Sequence, residues 1–277
     1  MIEASPKHTG CPFQGPATEA STLNYNDYLK VPELLNLQLP QSSPAHHDEL
    51  LFIVIHQSYE LWFKQILHEL ENAIQCMQNQ QVLRARHLIH RSVQIMRQLV
   101  QQIHLLETMN PVEFLQFRDH LAPASGFQSS QFREIEFLTG LKDVEYLKIF
   151  RHRPDFFNRL ERRLKEPDLW TAYCQLLIQL GFGLPTQGEP RAQIIEGLLP
   201  IYLRPDEHAD VYLLSESLID FDEYLALWRD HHVRVVERVI GSKMGTGGSE
   251  GVEYLRGTTN KKCFPMLWEV RTHLKLS

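Results

Sequence analysis

The chain has 277 residues, 43% of them hydrophobic, and a formal charge of −6. That hydrophobic content is ample for a substantial core, and the acidic balance excludes a general nucleic-acid binder, which needs a basic face for phosphate. Cys11, Cys76, Cys174 and Cys263 lie far apart with no C-x-x-C pair, which excludes zinc ribbons, cysteine-held iron–sulfur clusters and a disulfide framework.

Residues 1–22 are polar and scattered with Pro and Gly, and are expected to form a flexible arm. The segment HDELLFIVIHQSYELWFKQILHELENAIQCMQ (47–78) contains neither Gly nor Pro. Its apolar residues Phe52, Tyr59, Phe63, Ile66, Leu70 and Ile74 follow the helical period, so one long helix is predicted. A second long helix fits 82–109. Asn110-Pro111-Val112-Glu113 then reads as a new start, with Asn as N-cap, Pro at N1 and an acid at N3; Pro123 and Gly126 end that short helix. Further helices fit about 129–139, 143–151, 154–164, 167–180, 191–202, 206–215 and 220–240. No alternating β pattern exceeds four residues. The expected fold is all-α, a bundle of long helices, with residues 23–277 forming a single domain. No segment has the roughly 18 uninterrupted apolar residues of a membrane span. The first residues, MIEASPKHTGCPFQGP, lack a signal-peptide core. A soluble, cytoplasmic protein is expected.

Fourteen histidines invite a metal reading. His68, His87, His90 and His104 sit among polar neighbours and read as surface or boundary residues, and the HHDE run at 46–49 reads as acids at a helix start. His232 differs. Leu225, Trp228, His232, Val235 and Val239 are spaced 3, 4, 3 and 4, so the imidazole shares an apolar stripe. His56 repeats the pattern with Phe52, Tyr59 and Phe63. A hydrogen-bonded core histidine accounts for either residue alone. The absence of E-x-x-H pairs disfavours a di-iron carboxylate bundle. The metal chemistry that best fits one or two imidazoles in an apolar helical slot is haem, whose iron takes one proximal imidazole and leaves its other face open.

Residues 241–251, GSKMGTGGSEG, hold five glycines and follow a helix-like segment. The spacing matches neither a P-loop nor a dinucleotide fingerprint, both of which follow a strand. The loop therefore serves a ligand other than a phosphate held by one of those motifs.

The segments PAHHDELLFIVIHQSYELWFKQILHEL (44–70), FRDHLAPASGFQSSQFREIE (117–136) and HVRVVERVIGSKMGTGGSEGVEYLR (232–256) closely resemble the tryptophan 2,3-dioxygenase family. The likeness runs from about residue 22 onward. It implies an all-helical homotetramer that uses haem b, ferrous in the active state, to open the indole of L-tryptophan with O₂, giving N-formyl-L-kynurenine. Carried over by motif, the resemblance implies His232 as proximal iron ligand and His56 as the distal-side residue near the indole N–H. Arg118 would grip the substrate carboxylate, and Phe52 and Phe114 would wall the indole. Ser125 and Gly126 would line the haem edge, and Thr246 would reach the substrate from the glycine loop, read as a lid. Tyr25, Tyr28 and Leu29 resemble a segment that a neighbouring subunit adds to the pocket.

Elementary chemistry accompanies these assignments. A zwitterion entering an apolar pocket carries charges that are costly to desolvate unless paired. Arginine suits a carboxylate because its planar fork donates two parallel charge-assisted hydrogen bonds; an ion pair with Asp119 or Glu113 is the alternative role for Arg118. Two other readings remain: a related haem enzyme acting on a modified tryptophan or indole, and a non-catalytic haem carrier or sensor with both His56 and His232 on iron.

Overall fold

The computed structural model describes residues 23–185, 190–245 and 251–275. The chain divides into two compact units, Met1–Leu39 and Pro40–Ser277. The first unit contributes, within the described residues, two short helices, α1 (Tyr25–Leu29) and α2 (Val31–Leu34). Asn24 caps α1 by accepting from the Asp27 amide, and Lys30 ends it in the left-handed conformation. The arm expected at 1–22 lies outside the described residues.

In the second unit helices are the regular secondary structure of the described residues, with no strand among them. Its frame is α3 (His47–Gln78), α4 (Val82–Gln102) and, later in the chain, a second helix of 32 residues. Between them come α5 (Pro111–Arg118), α6 (Ser130–Leu138), α7 (Pro154–Lys165), α8 (Leu169–Gln179) and α9 (Arg191–Leu203). The long helix α10 (Ala209–Ile240) is followed by α11 (Val252–Arg256) and α12 (Pro265–Glu269). At 1.5 Å per residue, α3 and α10 each run about 48 Å.

The bounds of α3 match the sequence reading, and α5 starts as predicted, with the Asn110 side chain accepting from the Val112 amide and Pro111 at N1. Three expectations need correction. The helix expected over 82–109 is α-helical only to Gln102 and then tightens into a 3₁₀ segment, Ile103–Thr108. Residues Val144–Phe150 form a 3₁₀ helix. The two helices expected at 206–215 and 220–240 are one, α10. Buried serines sit where the apolar stripe is interrupted. Ser215 and Ser217 each donate to the carbonyl four residues back, at 2.8 and 2.9 Å, and Ser215 also pairs with the Tyr173 hydroxyl at 2.6 Å. Satisfied in this way, a polar side chain can lie in a buried helix interior.

The HHDE run also resolves physically. The Glu49 carboxylate is fully buried and accepts from the Gln41 and Ser42 amides and the Ser42 hydroxyl, so it fastens the preceding loop to α3. The His47 side chain is exposed.

α3 and α10 both pack along α4, and α6 and α8 close on α3. Leu70, Leu99, Leu176, Leu198 and Leu225 are among the fully buried residues of the continuous core that results. One buried carboxylate ties the last helix to this frame. Asp222 on α10 accepts from the Cys263 and Phe264 amides at 2.9 and 3.1 Å and from the Trp268 indole N–H at 2.9 Å.

Candidate active site

A mostly apolar cavity of about 290 Å³ is lined by α3, α10 and the 3₁₀ segment that extends α4. Aromatic rings from the two long helices meet at one end of it, with Trp228 edge-on to Tyr59 and Phe63 at 6.0 and 6.4 Å. From α3 the cavity receives Phe52 and His56, one turn apart on the same face. From α10 it receives Trp228 and His232, again one turn apart, their rings stacked at 5.2 Å.

The His56 ring lies 4.0 Å from the Phe52 ring, and its Nδ1 donates to the Phe52 carbonyl at 2.7 Å. A carbonyl only accepts, so this bond fixes the tautomer and leaves Nε2 as a free acceptor. Burial lowers the His56 pKa below the usual histidine value, against opposing pulls from the Phe52 carbonyl and Glu60. Burial, with His56 as a second cause, lowers that of His232 to about 4. Both rings are therefore neutral near pH 7. Among the described residues no hydrogen bond reaches the His232 ring. Its neighbour His231 points elsewhere, edge-on to His104 at 4.9 Å.

α5 supplies the third wall. Phe114 packs 5.8 Å from Phe52 and 5.2 Å from Phe117, so three phenyl rings form one apolar corner. Arg118, the last residue of α5, lines the same cavity. Its guanidinium donates to the Met244 carbonyl, 126 residues away in sequence. The alternative ion pair is weak, because Asp119 stands 4.0 Å off and its side chain is 91% exposed. Ser125 and Gly126 line the cavity from the segment after α5.

The glycine loop begins where α10 ends, at Gly241, with φ +61°. It returns at Gly251, with φ +63°, where an added Cβ would stand 2.7 Å from the Lys243 carbonyl oxygen. Both positions need glycine for conformation, and the second also for close backbone approach. Gly245 and Gly251 line the cavity, while Thr246 lies outside the described residues.

Seven of the residues singled out in the sequence thus share one cavity: Phe52, His56, Phe114, Arg118, Ser125, Gly126 and His232. Tyr25, Tyr28 and Leu29 are exposed on α1, in the other compact unit. Sequence reasoning missed several polar residues of the lining, namely Glu60, Arg133, Glu136, Arg229 and Tyr254. The available signal was α6, which buries Arg133, Glu134 and Glu136 alongside its apolar residues.

A family model described as tryptophan 2,3-dioxygenase matches residues 13–178 and 187–274. The chain belongs to the tryptophan 2,3-dioxygenase family. A protein of that name from Nocardioides sp. (strain ATCC BAA-499 / JS614) is 48% identical over 261 residues, covering 92% of this chain and 96% of the relative. Others from Herpetosiphon aurantiacus and Myxococcus xanthus are 45% and 40% identical, each across 92% of this chain and covering 100% and 91% of their own lengths.

Tryptophan 2,3-dioxygenases are haem dioxygenases, and the cavity's donor set suits a haem. A metal ligand must be an unprotonated imidazole, and His232 is held in that form. Among the described residues no cluster of three or more His, Cys, Asp or Glu side chains is placed to hold a metal ion. No described helix is long and apolar enough to cross a membrane.

Proposed function

We infer that this chain is a haem-dependent dioxygenase that cleaves the C2–C3 bond of the indole ring of L-tryptophan with O₂, giving N-formyl-L-kynurenine. Family membership supports the reaction. The observation that carries the residue roles is the pairing of two neutral imidazoles, from separate 32-residue helices, on a single apolar cavity with one arginine at its α5 wall. The cofactor in this reading is haem b in the ferrous state, which His232 would hold through its neutral imidazole. When bound, it supplies the binding and activation of O₂, and both oxygen atoms enter the product.

The protein's own residues do the positioning. Phe52 and Phe114 hold the indole in the apolar corner and exclude water from it. The Arg118 fork takes the substrate carboxylate. His56 Nε2 is left as an acceptor by the Phe52 carbonyl, and it receives the indole N–H and sets the angle of the ring. Because an indole N–H is a very weak acid and His56 is depressed in basicity, the hydrogen bond orients the ring without removing its proton. Much of the catalytic contribution of the chain is then placement.

In the assembled enzyme, a homotetramer in the cytoplasm, a neighbouring subunit brings Tyr25, Tyr28 and Leu29 to the pocket. Their exposure on α1 leaves them available for that contact. The deciding test is His232→Ala. The variant should fold and lose stable haem retention, so a purified variant with a normal Soret band would refute the ligand assignment.

A further inference from the structure

The polar end of the cavity has a charge imbalance that the substrate roles above leave unused. Glu136 on α6 is 1% exposed and is shared by two guanidiniums. Arg133 Nη1 donates to its Oε2, and Arg229 Nη2 donates to its Oε1 at 2.9 Å. Arg133 and Arg229 are 5% and 3% exposed, and all three side chains line the cavity. Two cations against one anion leave a net positive charge out of water. Arg229 spends a further donor on the Lys261 carbonyl at 3.2 Å. Arg133 has no such outlet, since its Nε is buried without a hydrogen-bond partner among the described residues.

The surroundings hold Arg133 rigidly but do not neutralise it. Its guanidinium lies 4.0 Å from the centroid of the Tyr146 ring and 5.1 Å from that of Phe127. The Lys261 ammonium lies over the same Tyr146 ring at 5.8 Å, adding positive charge. The Tyr146 hydroxyl bonds Tyr254, another residue of the lining, at 3.0 Å. Glu60, the other acid among the described residues of the lining, is already held by Gln131 at 2.8 Å. A buried, partly satisfied polar cluster of this kind is costly unless an anion completes it.

The geometry points to a carboxylate-anchoring site at Arg133, backed by Arg229 and Glu136, that takes one propionate of the haem. This inference rests on the haem reading above. Arg118 is separately committed to the substrate carboxylate, so the two anions have separate cationic partners. Glu136 is the positioning residue, fixing both guanidiniums and limiting the excess to a single charge.

The test titrates the haem-depleted full-length chain with haemin and with haemin dimethyl ester, whose propionates are masked, following the Soret band. Wild type should prefer the free acid by about 10- to 160-fold, the value of one charge-assisted hydrogen bond. Arg133→Gln should bring the two affinities together. Glu136→Gln removes the internal counter-charge and should widen the preference, so the inference stays testable where Arg133→Gln fails to fold. Equal binding of acid and ester by wild type, with a normal Soret band, would overturn the anchor and leave the haem site standing. So would an undiminished preference in a folded Arg133→Gln, or a narrowed one in Glu136→Gln. Wild type that binds neither porphyrin would overturn the haem reading itself.

Discussion

Replacing Arg118 by Leu isolates the interaction that selects an amino acid over a simple indole. In the structure the guanidinium already donates to the Met244 carbonyl. A bound carboxylate therefore replaces one charge-assisted bond and adds a second, and the net gain is one such bond, about 1.5–3 kcal/mol. At 1.36 kcal/mol per decade, kcat/KM for tryptophan should fall by about 10- to 160-fold. Tryptamine, which lacks the carboxylate, should lose little. The assay is steady-state product absorbance with both substrates, wild type against variant, at matched haem content. The expected result is collapse of the tryptophan-over-tryptamine preference, with KM taking most of the change because this interaction exists before the transition state. An unchanged preference would refute the reasoning and leave Arg118 as a fastener for the loop at Met244.

Three further outcomes follow from the geometry. His56→Ala should keep its haem spectrum and lose about 2- to 13-fold in turnover, the value of one neutral hydrogen bond; complete loss at unchanged tryptophan affinity would make His56 an obligatory proton acceptor. Asp222→Ala orphans three donors at once, and urea unfolding should report a loss of about 3–6 kcal/mol, with Asp222→Asn losing less. A loss under about 1 kcal/mol would show that those donors find other partners. Gly251→Ala forces a side chain onto positive φ against the Lys243 carbonyl, a local cost of about 1–3 kcal/mol. It should raise KM for tryptophan with the Soret band unchanged, and wild-type kinetics would mean that the glycine is not needed there.

The chain by itself determined the helical frame and the faces of its longest members. In α3 and α10, a 3.6-residue period puts His56 and His232 on apolar stripes, because a helix fixes the angle between residues on one element. Motif likeness fixed the family for the same local reason, since the three matching segments are each continuous in sequence. Periodicity gives no information about what lies across a gap, however. That His56 and His232 line the same cavity, that Arg118 reaches a carbonyl beyond α10, and that Glu136 of α6 holds Arg229 of α10 are pairings across 93 to 176 residues. Burial in a charged, partly satisfied cluster arises only when α6 and α10 are packed together. For the same reason Ser215 and Ser217 are compatible with a continuous α10, because the packed core supplies Tyr173 and the helix supplies its own carbonyls.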